Sequence, residues 1–138
     1  MNRKRWLCWG LVLGLGAVYA AGSNWLQKVP AAVREKKNPY AGQQKAIAAG
    51  ARMFAEHCAP CHGQDALGRG KRPSLRSPEV QQATDGEIFW LLKNGYRRRG
   101  MPSWSSLPEP TRWQIIAYVK SLGVSTKSTS GSRKEEQR

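Results

Sequence analysis

The sequence predicts an all-α domain, and three observations carry that expectation. No stretch alternates apolar and polar residues with the period of two that a half-buried strand requires. Two segments carry apolar stripes at helical spacing: Ile47, Gly50, Phe54 and Cys58 from Gln43 onward, and Ile115, Tyr118, Val119 and Leu122 near the other end. Between them, Thr84-Asp85-Gly86-Glu87 has the spacing of a capping box and opens a short apolar run, "IFWLLK", that stops at Gly95.

The chain begins with the basic group Asn2-Arg3-Lys4-Arg5 and then carries no charge from Trp6 to Gln27. Leu7 to Ala21 fits the apolar region of a signal peptide, with Val18-Tyr19-Ala20 as a small-residue cleavage site. Trp6 to Trp25 also has the length of about 20 residues that crosses a bilayer, with tryptophan at both ends. Residues 1–25 therefore read as a signal or transmembrane anchor. They place the remainder on the periplasmic, extracytoplasmic side, held to the inner membrane by residues 6–25 or, in the alternative, cleaved and soluble. Cys8 belongs to this apolar segment. Residues 26–41 contain Pro30 and Pro39 among mixed charges and read as a linker.

The domain proper is expected over 42–123. Gly50 lies in the middle of its first helix, where glycine costs about 1 kcal/mol against alanine. The cost is explained if another helix approaches closely at that point, and the stripe of Ile115 to Leu122 offers the matching face. Pro108 and Pro110 fit before or within the first turn of that last helix, where a missing amide is tolerated, and Gly123 is expected to end it.

The chemistry concentrates in His57-Cys58-Ala59-Pro60-Cys61-His62-Gly63, which holds two of the three cysteines and both histidines of the chain. A zinc site would need a second pair of ligands, and none follows at a suitable spacing. A redox dithiol of the thioredoxin kind belongs beside a βαβ pattern, which is absent. The arrangement C-x-x-C-H instead suits covalent haem: both thiols add across the haem vinyl groups, and the histidine directly after them is carried under the ring to the iron. For the opposite face of the iron, His57 is tethered to the wrong side, Met1 precedes the apolar segment, and Met53 lies on the first helix. Met101 remains, between Gly100 and Pro102 in a loop that can turn a side chain inward.

From Gln43 to Gly123 the chain resembles the class I c-type cytochromes. Gly50, Phe54, Cys58, Cys61 and His62 keep that family's intervals, Gly100-Met101-Pro102 is similar to its distal-ligand motif, and "WQIIAYVKSLG" with Tyr118 resembles its last helix. The resemblance implies a cytochrome c fold, with short helices around one covalent haem c. It implies attachment through Cys58 and Cys61 and iron ligation by His62 and Met101. It also points to the carbonyl of Pro73 as the acceptor that orients the His62 imidazole. The run Arg97-Arg98-Arg99 beside the ligand loop departs from the family pattern. The function implied is electron transfer from a periplasmic or membrane dehydrogenase to an oxidase or another cytochrome, without enzymatic activity. The alternative is a peroxidase-like enzyme or gas sensor with a labile sixth ligand. Trp90 and Trp104 are expected to pack near the haem.

A domain of about 80 residues is near the size where an apolar core alone is marginal, so the apo chain is expected to fold poorly. Residues 124–138, "VSTKSTSGSRKEEQR", are polar and aperiodic and read as a disordered tail. The formal net charge is +14, from 23 basic and 9 acidic residues. Without a recognition motif, and behind an export segment, this does not indicate nucleic acid. It suits an acidic redox partner or, with an uncleaved anchor, the membrane surface.

Overall fold

The computed structural model describes residues 25–132, with side chains as far as Gly123. Residues 1–24, and with them most of the expected export or anchor segment, lie outside the described residues, as do 133–138. Six α-helices are present among the described residues: α1 (Ala31–Arg34), α2 (Gln44–His57), α3 (Ala59–His62), α4 (Pro78–Gln82), α5 (Asp85–Asn94) and α6 (Glu109–Ser132). Among the described residues there is no strand, only the isolated bridges Arg69–Arg72 and Tyr96–Met101.

The α2–α6 pair forms the main packing unit. Gly50 makes it possible: a Cβ there would stand 1.9 Å from the carbonyl oxygen of Gln114. Phe54, Ile115 and Ile116 are the largest side chains fully removed from water, and the rings of Phe54 and Tyr118 lie 5.2 Å apart across the pair. Helix α5 begins as expected, with Thr84 Oγ1 accepting from the Glu87 amide at 3.1 Å and Glu87 Oε2 accepting from the Thr84 amide at 2.8 Å. Its Phe89 stacks on Trp113 of α6, with centroids 4.1 Å apart. In α6, Pro108 precedes the helix and Pro110 lies in its first turn.

Two expectations are corrected. Gly123 does not end the last helix, which continues as backbone helix to Ser132. Gly123 is absent from the glycines at positive φ, so it does not form a left-handed cap. It serves close packing instead: a Cβ there would fall 2.2 Å from Gln81 Oε1, and Gln81 Nε2 donates to the carbonyls of Leu75 and Val119 at 2.7 and 3.0 Å.

The second correction concerns residues 26–41, expected as a linker, which pack on the core together with Trp25. Trp25 and Val29 join the core and Asn38 is buried, so Trp25 packs into the folded unit. Helix α1 lies on the first turn of α5, where a Cβ on Gly86 would meet the Val33 carbonyl oxygen at 1.8 Å. Arg34 donates to the carbonyls of Val29 and Leu26 and stands 3.8 Å from Glu87. Asn38 Nδ2 donates to the Trp113 carbonyl at 2.8 Å, and its amide donates to Asp85 at 3.2 Å. The folded unit thus begins at Trp25 and not at Gly42. No helix of the described residues is long and apolar enough to cross a membrane.

Candidate haem site

Cys58 caps the end of α2 and the start of α3 at once. The single turn of α3 is closed by Cys61 and His62 amides donating to the Cys58 carbonyl at 3.1 and 2.9 Å, with Pro60 in its first turn, where no amide is missed. One rigid turn therefore carries both thiols and the imidazole. Cys58 is buried, Cys61 is exposed, and neither is in a disulfide. Burial first, and the neighbouring Cys61 second, push the Cys58 thiol up to about 11. A redox dithiol needs the opposite shift, toward the thiolate.

His62 Nδ1 lies 3.0 Å from the Pro73 carbonyl oxygen. A carbonyl can only accept, so this contact puts the proton on Nδ1 and leaves the lone pair on Nε2. The loop that brings Pro73 here is closely folded. The Gly68 amide donates to His62 O at 2.8 Å and the Leu75 amide to Ala66 O at 2.9 Å. Gly68, at φ 88°, lets residues 72–74 cross it, since a Cβ would stand 2.5 Å from the Arg72 carbonyl oxygen.

Met101 is half-buried on a loop with its own closure. The Tyr96 and Met101 amides exchange bonds with each other's carbonyls at 2.9 and 3.2 Å, and Arg97–Arg99 form a 3-10 turn between them. Gly95 and Gly100 take φ of 72° and 74° at the two ends. The Trp104 amide ties the loop to α5 through Leu92 O at 2.8 Å. The Trp104 ring faces that of His57, with centroids 5.3 Å apart, so His57 packs against the Met101 loop. Side chains 97–99 are exposed.

Two arginines not singled out from the sequence bear on this loop. Arg72 Nη1 donates to Arg99 O at 2.5 Å, which joins the loop beside His62 to the loop that carries Met101. Arg112 is buried at 6 % exposure and donates to carbonyls of residues 104, 105 and 107. Its place was legible in principle, because positions 112, 115, 116 and 119 share one face of a helix. The bonds of Arg72 follow no sequence period.

The donor chemistry fits a c-type haem: two unpaired thiols on one turn, an imidazole with Nδ1 engaged, and a thioether on a separate closed loop.

Comparison with known proteins agrees with this chemistry. The family described as cytochrome c oxidase, cbb3-type, subunit III matches residues 45–119. The cbb3-type cytochrome c oxidase subunit FixP of Bradyrhizobium sp. is 35% identical over 83 residues, which cover 55% of this chain and 27% of that protein. Cytochrome c550 of Pseudomonas aeruginosa is 32% identical over 92 residues, covering 64% of this chain and 63% of that one. The crystal structure of cytochrome cL from Methylophaga aminisulfidivorans superposes with a TM-score of 0.55 at 29% identity, over 62% of this chain and 58% of that chain. The chain thus spans between 27% and 63% of the length of these two relatives.

Proposed function

The chain belongs to the cytochrome c family of cbb3-type oxidase subunit III, and on that premise we propose that it carries single electrons through one haem held by Cys58, Cys61, His62 and Met101. Proteins of this family work in electron transfer with covalently bound haem. When bound, the group supplies an iron that exchanges one electron between its ferric and ferrous states. Cys58 and Cys61 would hold it by thioether bonds, and His62 Nε2 and the Met101 sulfur would ligate its iron. The bond from His62 Nδ1 to Pro73 O holds the imidazole at one orientation. Histidine with methionine raises the potential, which suits accepting electrons from a dehydrogenase and passing them to a terminal oxidase. The relatives named as oxidase subunits support an oxidase as the acceptor.

The observation that carries this reading is the His62–Pro73 contact beside two unpaired cysteines on the same turn. The closed Met101 loop favours a carrier over the peroxidase or gas-sensor reading, since a ligand held by its own bonded loop is not readily vacated. The docking face is proposed at Arg97, Arg98 and Arg99, toward an acidic partner. The domain is proposed to work outside the cytoplasm, with residues 1–25 as its export segment or anchor. Voltammetry of the holoprotein adsorbed on an electrode tests the carrier role. A reversible one-electron wave, unchanged by peroxide, is expected; a catalytic reduction current on adding peroxide would support the enzyme reading instead.

A further inference from the structure

We propose that Arg112 and Arg72 are positioning residues that clamp the Met101 loop from its two ends, and so set how firmly methionine stays on the iron. The proposal rests on Met101 being the distal ligand. Downstream of Met101, Nη1 of Arg112 donates to Trp104 O at 3.4 Å, to Ser105 O at 3.1 Å and to Leu107 O. Upstream, Arg72 Nη1 donates to Arg99 O at 2.5 Å, and Gly100 leaves the room: a Cβ there would stand 2.7 Å from that nitrogen.

Arg112 is an unusual choice for a core position. Among the described residues no carboxylate pairs with it, and its Nε is buried without a hydrogen-bond partner. Removing a guanidinium from water without a counter-ion is costly. What it meets instead is three carbonyls of one loop and the face of Phe89, 5.1 Å from its Cζ. Trp104 O also accepts from the Leu107 amide at 3.1 Å, but the Ser105 and Leu107 carbonyls lie outside helix and sheet and need a donor, and one planar guanidinium reaches several at once where lysine offers a single point. Two further hydrogen bonds of the loop, from the Trp104 amide to Leu92 O and from Ser103 Oγ to Lys93 O, lead to the end of α5, and the Trp104 ring packs on His57 of α2. Arg112 and Arg72 tie it to α6 and to the loop bearing Pro73. Loosening either tie frees the methionine without touching His62 or the thioether cysteines.

The test measures how strongly added imidazole displaces the distal ligand in the ferric holoprotein, followed by loss of the weak red charge-transfer absorption of methionine-ligated haem. Loss of a bond to a charged donor corresponds to about tenfold in such an equilibrium. Arg112→Met is therefore expected to bind imidazole about tenfold more tightly than wild type, with Arg72→Gln and Arg112→Lys shifted in the same direction by a smaller factor. Thr84→Ala, which weakens the far end of α5 and lowers stability without touching the loop, is expected to leave the affinity unchanged. If Arg112→Met yields no holoprotein, Arg112→Lys and Arg72→Gln decide. Wild-type imidazole affinity in the arginine variants, with the red absorption present in wild type, would overturn the clamp. Absence of that absorption from wild type would overturn methionine ligation, and the clamp with it.

Discussion

Gly50 shows how one missing side chain sets the architecture. Alanine would gain about 1 kcal/mol at an open helical position. Here its methyl would meet the Gln114 carbonyl at 1.9 Å, so α2 and α6 would have to separate. Gly50→Ala is expected to cost about 3 kcal/mol, as overpacking does, seen as a lower denaturation midpoint at unchanged slope. An unchanged or higher midpoint would mean that the two helices do not rely on this contact. The glycine was legible because a mid-helix glycine asks for a reason, and the motif Cys58-Ala59-Pro60-Cys61-His62 was legible because its spacing is local. Arg72 was not legible, because its bond to a carbonyl 27 residues away depends on which loops the fold brings together; Arg112 bonds carbonyls only five to eight residues away, and its helical face alone gave a hint of its burial.

At the scale of elements, the capping box at Thr84 and Glu87 formed as its spacing indicated, because both partners lie within four residues of each other. Thr84→Ala is expected to cost about 1 kcal/mol, measured by thermal or denaturant unfolding of the holoprotein. The segment 26–41 was misread as a linker for a physical reason. Its buried residues Val29 and Asn38, with Trp25 before them, follow neither a helical nor a strand period, and its prolines and charges resemble those of a free chain. Its attachment is nevertheless specific. Asn38→Ala would remove the side-chain donor to the buried Trp113 carbonyl, at a cost of about 1 kcal/mol. Full stability in that variant would return 26–41 to the role of a passive connection. The last helix was cut short at Gly123 because a glycine after an apolar stripe reads as a cap, whereas here it makes room for Gln81.

The whole molecule combines a small core with a large positive charge. Residues 42–123 hold 12 basic and 6 acidic side chains, and Arg97, Arg98 and Arg99 are exposed beside the Met101 loop. If these three steer an acidic partner, Arg97→Glu with Arg98→Glu is expected to slow second-order electron transfer by about tenfold at low salt. The difference should shrink as salt rises, since screening at 0.15 M acts over about 8 Å. Stopped-flow reduction across a salt series checks this, and an equal rate at low salt would make the arginines a solvated loop. The central proposal is nonetheless that Met101 closes the iron site, and carbon monoxide tests it most directly. Ferrous wild-type protein is expected to bind the gas slowly and weakly, and Met101→Ala to bind it readily with covalent haem retained. Rapid, tight binding by the wild type would contradict ligation by Met101 and assign the protein to the sensors or peroxidases.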